Sequence, residues 1–186
     1  RDGQSSDEIY SEQITAPFRS DKATSTEEAE QSTIGRQSKL REGHYAYHFS
    51  INPKNLQPLV DLVKGKAEST ANGLLDKDIV KLKEAMRVGV THFDSSSKAG
   101  SDNELLLWVQ LKKESKHVLP SFTEMVKVQR TNGKVEIDLT ALGNLLKNLN
   151  NEIELMELYY LPENTLIKGE PEDIQKKHII TGEKIN

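Results

Sequence analysis

The sequence predicts an α+β fold in which a strand, a crossover helix and a second strand form one half of a ferredoxin-like sheet. Residues 44–51 alternate between apolar and polar side chains with a period of two, which is typical of a strand. Residues 74–93 carry apolar side chains at helical spacing, and residues 105–111 are a dense apolar run of strand length. This order of elements is the half-motif of a ferredoxin-like sheet.

The first predicted strand has two different faces. Tyr45, Tyr47 and Phe49 fall on one face, and His48 and Ser50 fall on the other. Aromatic residues on a sheet can stack on RNA bases, but burial against the helices is the simpler use of three aromatic side chains. We therefore expect the aromatic face to be buried and the face with His48 to be open.

The predicted helix begins near Asp76, which suits the N-cap position, and Asp78 adds negative charge where the helix dipole favours it. On its apolar face we expect Leu82 and Met86 to be buried against Tyr47 or Phe49.

Shorter patterns predict the remaining elements. We expect strands at residues 9–18, 122–129 and 153–161, helices at residues 55–64 and 139–149, and a hairpin turn at residues 131–134. The turn is expected because Asn132-Gly133 accepts positive φ angles.

The chain divides by composition into four parts: an N-terminal arm with a strand (1–23), a polar segment (24–43), the main domain (44–161) and a polar C-terminal extension (162–186). Residues 20–33 have almost no apolar content and cannot bury a face of their own. The extension is expected to lie on the surface.

Composition excludes several classes of protein. The chain has no cysteine, which excludes a disulfide framework and a cysteine-ligated zinc site. No apolar run reaches the length of a membrane span, so we expect no membrane partner and a cytoplasmic location.

Charge is distributed unevenly around a net value of -4. Residues 1–35 and residues 135–186 each have a net charge of -5, whereas residues 36–134 hold seventeen basic and eleven acidic side chains. A local basic region matters more to a phosphate backbone than the total charge does. The middle of the chain is therefore the candidate nucleic-acid-binding region.

Sites for metals and covalent catalysis are not expected. On a strand His44 and His48 would lie about 13 Å apart, too far to share a metal ion. Ser95, Ser96 and Ser97 precede Lys98, but no nucleophile elbow and no phosphate-binding P-loop accompany them. The sequence thus predicts no cofactor, no metal and no catalytic residue.

Three stretches resemble the repeating backbone subunit of type I CRISPR surveillance complexes (Cascade), most closely its subtype I-B branch. The first is residues 32–36 (STIGR) leading into the aromatic strand. The second is residues 75–79 (LDKDI), continuing to Arg87, and the third is residues 96–100 (SSKAG) followed by residues 105–109 (LLLWV). The resemblance covers roughly residues 9–161.

The resemblance implies an RRM-like palm with a long polar thumb hairpin. The family's N-terminal half, with its first palm strand and a basic RNA-gripping helix, has no counterpart in this sequence. We therefore expect the chain to be the C-terminal part of a longer subunit.

The resemblance also implies a role in antiviral defence, without catalysis. Copies would stack along a CRISPR guide RNA in a ribonucleoprotein complex and hold the guide open for pairing with target DNA. The implied partners are the guide RNA, target DNA, copies of itself in a helical filament and other Cascade subunits.

The candidate RNA contacts follow from the same resemblance. Ile34 would be an apolar wedge at the tip of the thumb, which displaces a guide base, and nearby cations would hold the flanking phosphates. The full set is Ile34, Arg36, Lys39, Arg41, His48, Ser96, Ser97 and Lys98.

A second hypothesis concerns a different class of function. The acidic ends of the chain favour a protein–protein interaction domain that recruits a basic partner and binds no nucleic acid. Binding of single-stranded RNA at low and high salt separates the two hypotheses.

Overall fold

The computed structural model describes residues 9–17, 32–40, 43–64, 73–93 and 100–185, with the backbone alone for the first two ranges. The chain divides into two compact units, Arg1–Ala46 and Tyr47–Asn186. The finer boundaries expected from composition stay predictions.

The described elements, in chain order, are β1 (Ile9–Pro17), β2 (Ser32–Leu40), α1 (Gln57–Lys64), α2 (Asp76–His92), β3 (Leu105–Leu111), β4 (Lys127–Thr131), β5 (Lys134–Asp138), α3 (Thr140–Asn148), β6 (Ile153–Tyr160), β7 (Thr165–Lys168) and β8 (Gln175–His178).

The first unit contains an antiparallel hairpin of two nine-residue strands, β1 and β2. Ile9 lies opposite Leu40 at one end, and Pro17 lies opposite Ser32 at the other. The strand expected at residues 9–18 is confirmed.

The second unit contains two three-stranded sheets, in the orders β3-β6-β8 and β4-β5-β7. In both sheets the first pair is antiparallel and the second pair is parallel. One hydrophobic core joins the two sheets to α3, and its best-buried side chains are Leu139, Leu142, Leu146 and Leu158.

A smaller core lies under α2. Leu106 of β3, Tyr159 of β6 and Ile179 are buried there, and Met86 of α2 packs against them. The expected burial of Met86 against Tyr47 or Phe49 is therefore wrong, because the sheet β3-β6-β8 supplies its partners.

Periodic segments of the sequence fold as predicted. Helices α2 and α3 and strands β3 and β6 lie where the hydrophobic spacing placed them. Asn132 and Gly133 have φ angles of 51° and 80°, which confirms the hairpin turn between β4 and β5. The N-cap of α2 is Leu75 rather than Asp76. The Leu75 backbone N–H donates a hydrogen bond of 3.0 Å to the carboxylate of Asp78.

The strand predicted at residues 44–51 is wrong. Those residues have no regular secondary structure, and Tyr45, Tyr47 and Phe49 are 67%, 88% and 53% exposed. Alternation shows that a segment suits a strand, but a strand also needs a neighbour for its backbone hydrogen bonds. None of the eight described strands pairs with this segment. The α+β class is confirmed, and the RRM-like palm is not.

The C-terminal segment is not a simple surface extension. It supplies β7, which pairs in parallel with β5, and β8, which pairs in parallel with β6. Both strands have four residues, too few to show a period in the sequence. The strand expected at residues 122–129 is also shifted, because a helical turn at Thr123–Met125 precedes β4.

The first turn of α3 approaches the loop after β7 very closely. A Cβ atom added to Gly143 would lie 2.1 Å from the carbonyl oxygen of Gly169. The Leu139 N–H also donates a 2.7 Å hydrogen bond to the carbonyl of Lys168. Gly143 is required here because any side chain would collide with backbone.

Among the residues that the structure describes, no helix combines the length and apolarity needed to cross a lipid bilayer.

Candidate nucleic-acid interface

The hairpin presents three of the candidate RNA contacts on one strand. Ile34, Arg36 and Lys39 lie in β2, with their Cα atoms opposite those of Thr15, Gln13 and Tyr10. The expected position of Ile34 at the hairpin tip is wrong, because β2 begins at Ser32 and Ile34 is already paired. Arg36 and Lys39 are three residues apart, about 10 Å along an extended strand. Because successive residues of a strand alternate between its two faces, Arg36 and Lys39 fall on opposite faces of β2.

The serine and lysine candidates belong to a connection whose flanks are well defined. Ser96, Ser97 and Lys98 lie outside the described residues, as does Arg41. The connection leaves α2 at His92 and returns at Gly100, which has a φ angle of +79°. These two positions fix where the segment begins and ends.

Asn103 anchors the exit of this connection and was missed by the sequence analysis. Its side-chain amide donates a 3.0 Å hydrogen bond to the carbonyl of Met86, and its side-chain oxygen accepts a 3.1 Å bond from the Val90 N–H. The Asn103 N–H donates in turn to the hydroxyl of Thr91 at 3.3 Å. An asparagine shortly after a loop glycine is the only signal that the sequence offered.

His48 is exposed and makes a protein contact. Its ring meets that of Phe122 edge to face, with 5.7 Å between the ring centroids. The aromatic residues on either side of it are exposed as well. The expected division into a buried aromatic face and an open histidine face is therefore not observed.

Some cations of the basic middle region are used inside the protein. Lys83 donates a 2.5 Å hydrogen bond to Glu157, and its side chain is only 14% exposed. Lys177 pairs with the other oxygen of the same carboxylate. The ammonium of Lys83 also lies 4.6 Å from the ring centroid of Trp108, a cation–π contact. Lys83 is thus engaged by the fold.

Arg87 is engaged in the same way. Its guanidinium donates hydrogen bonds of 2.5 and 2.9 Å to the carbonyls of Ile179 and Ile180, and it lies 5.5 Å from the ring centroid of Tyr159. By contrast, Lys77 and Lys81 are exposed on α2 and lie four residues apart, on one side of the helix. These two lysines are further candidate phosphate contacts that the sequence did not distinguish from Lys83.

The buried cluster around Glu157 shifts the pKa values of two side chains, Glu157 and Tyr159. Burial opposes the charged form of Glu157, but hydrogen bonds from Lys177 and Lys83 outweigh it and lower the pKa of the carboxyl. Burial, followed by the neighbouring Glu157 carboxylate, raises the pKa of Tyr159 to about 12. This cluster holds α2 against β6 and β8.

Within the described ranges, no group of three or more histidine, aspartate or glutamate side chains is placed to hold a metal ion. The eight candidate RNA contacts comprise four cations, two serines, one histidine and one isoleucine.

A family model described as CRISPR-associated protein Cas7 matches residues 2–141. The chain belongs to this family. Cas7 proteins are backbone subunits of CRISPR effector complexes, so the resemblance found in the sequence is confirmed at the family level. The subtype I-B assignment stays a prediction. No curated protein and no solved structure matches the chain.

The Cas7 match extends from the hairpin to the start of α3. It includes all eight candidate RNA contacts and the whole of α2, and it ends before β6, β7 and β8. Cas7 subunits generally have no catalytic role in their complexes, and membership implies association with a CRISPR guide RNA and other Cascade subunits.

Proposed function

We propose that this chain binds CRISPR guide RNA as a non-catalytic backbone subunit. Copies polymerise along the guide in a helical filament and present it for pairing with target DNA. Contacts with other Cascade subunits complete the complex. The hairpin and the connection between α2 and β3 each contribute contacts to the RNA.

The observation that carries this proposal is the extent of the Cas7 match, which contains every candidate contact. Within it, Lys83 and Arg87 are committed to internal contacts. These two cations are therefore not the ones to test. Lysine and arginine contacts to phosphate supply affinity without reading sequence, as a subunit that coats any guide requires.

The test is a filter-binding assay of the full chain with single-stranded RNA over a range of salt concentrations. The variants are Arg36→Ala in β2 and Lys98→Ala in the connection. Lys147→Ala is the matched control, because Lys147 is exposed on α3 and lies outside the family match. Each lost phosphate contact should reduce the slope of log K against log salt by roughly 0.7 to 1.

We expect both test variants to weaken binding equally for RNAs of different sequence, while the control behaves as the parent chain. RNA binding that is undetectable at low salt would overturn the proposal and favour the protein–protein interaction domain. Slopes that are identical for the test variants and Lys147→Ala would remove Arg36 and Lys98 from the interface.

A further inference from the structure

The side chain of Asn103 bonds to two backbone groups of α2 that are each other's partners in a regular helix. Its Oδ1 atom accepts a 3.1 Å hydrogen bond from the Val90 N–H, and its Nδ2 atom donates a 3.0 Å hydrogen bond to the Met86 carbonyl. In an α-helix each N–H is directed at the carbonyl four residues earlier, which for Val90 is that of Met86. A carboxamide supplies both the acceptor and the donor that these two groups need.

A third bond completes the attachment of Asn103 to the helix. The Asn103 N–H donates a 3.3 Å hydrogen bond to the hydroxyl of Thr91, one residue before α2 ends. Met86, Val90 and Thr91 precede the connection between α2 and β3, whereas Asn103 follows it. The three bonds, which we call the clamp, therefore hold the two ends of this connection together.

Both sides of the clamp belong to well-packed parts of the second unit. On the helix side, Met86 packs against the smaller core under α2. On the other side, β3 begins at Leu105, two residues after Asn103, and pairs along its length with β6. A connection whose ends are fixed in this way has fewer conformations than one whose ends can separate.

We propose that Asn103 is a positioning residue for RNA binding, because its clamp limits the conformations from which Lys98 must reach a phosphate group. The inference rests on the proposed function, in which the connection contributes contacts to the RNA. Ordering flexible side chains and loops on binding costs free energy, and a connection that is already held at its base loses less entropy. Asn103 acts through the connection and does not itself contact the RNA.

A double-mutant cycle tests this role, using filter binding of the full chain to single-stranded RNA. Asn103→Leu removes the donor and the acceptor but keeps the net charge and the branching at Cγ. We expect it to weaken RNA binding about two- to tenfold, which corresponds to ordering one further side chain on binding. In a Lys98→Ala background the same substitution should have little further effect. In an Arg36→Ala background it should keep its full effect, because Arg36 lies in the hairpin.

The matched control is Asn164→Leu, at an exposed asparagine between β6 and β7 that lies outside the family match. It should bind RNA as the parent chain does. A second variant, Thr91→Val, removes the hydroxyl that accepts the Asn103 N–H and keeps the shape of an exposed side chain. It should weaken binding in the same Lys98-dependent way, and Thr91→Ser, which retains the hydroxyl, should bind as the parent chain.

The behaviour of the parent chain distinguishes failure of this inference from failure of the proposed function. A parent chain that binds no RNA overturns the proposed function, and the role of Asn103 with it. If the parent chain binds RNA and Asn103→Leu and Thr91→Val bind equally well, only the positioning role is overturned. Equal weakening by Asn103→Leu with and without Lys98 also overturns it, because the substitution would then act on the fold rather than on the connection.

Discussion

Two lysines on α2 show how the surroundings of a residue decide its role. Lys83 is nearly buried and ion-paired with Glu157, whereas Lys77 is exposed. Both count equally in the net charge of the segment. A charged side chain that is already ion-paired inside the protein would have to break that pair before it could bind a phosphate group. The positive charge that this segment exposes to solvent is therefore smaller than the sequence count indicates.

If Ile34 acts as a wedge between bases, its substitution should change the structure of the bound RNA without changing the stability of the protein. We expect Ile34→Ser to leave the melting temperature of the chain nearly unchanged. In complexes assembled on guide RNA, chemical probing of the bases should lose its periodic exposed nucleotide. The physical reason is that only an apolar side chain replaces the stacking that is lost when a base is displaced.

Ile14→Ser is the control for this substitution, because Ile14 lies in β1 of the same hairpin, opposite Gly35. It should keep the periodic pattern. A lower melting temperature in Ile34→Ser together with an unchanged base pattern would show that Ile34 is a structural residue of the hairpin.

At the scale of single elements, two helices contain a glycine in opposite situations. Gly143 of α3 faces the carbonyl of Gly169, whereas a Cβ atom at Gly89 of α2 would meet nothing within 4 Å. Gly143→Ala should lower the free energy of unfolding by about 1–3 kcal/mol through overpacking. Gly89→Ala should raise it by up to about 1 kcal/mol through helix propensity.

Urea denaturation of the two variants measures both effects, and each variant is the control for the other. A gain in stability for Gly143→Ala would mean that α3 and the loop after β7 separate easily. Equal effects of the two substitutions would contradict the close approach itself.

The elements that could be predicted from the sequence are those that can be recognised from the spacing of their own apolar residues. Helix α2 and strand β3 have their own period or apolar density, so their positions could be read directly. The segment at 44–51 has a strand-like pattern. Whether it forms a strand depends on a partner strand, which the pattern of its own residues does not reveal. Strands β7 and β8 show the converse, because long-range parallel pairing creates them from stretches of only four residues. The anchoring role of Asn103 likewise depends on the position of α2 in space.

Considering the whole second unit, the Glu157 cluster predicts how stability depends on pH. The pKa of Glu157 is lowered in the folded state, so its contribution is present above the ordinary carboxyl pKa and is lost as pH falls through the folded value. The pKa of Tyr159 is raised to about 12. Its contribution is complete below the ordinary tyrosine pKa of about 10 and is lost as pH rises from there towards 12.

The measurement is the free energy of unfolding from urea denaturation between mildly acid and strongly alkaline pH. We expect a plateau with a decline at each end. Glu157→Gln should flatten the acid decline and lower the plateau, because it leaves Lys83 and Lys177 without their counter-ion. Tyr159→Phe should flatten the alkaline decline. Glu154→Gln, at an exposed glutamate of the same strand, should preserve both, and a matching change there would refute the assignment.

The two parallel strand pairs have a consequence for the order in which the chain folds during synthesis. β5 and β6 are the central strands of their sheets, and their outer neighbours β7 and β8 are translated after the other strands of both sheets. Until those strands leave the ribosome, each sheet has only two strands, and two-stranded sheets are marginally stable in water. The nascent chain must therefore hold Leu158 and the rest of the unfinished core in a partly formed state. We therefore expect cooperative folding of this unit to begin only when residues 165–178 have emerged.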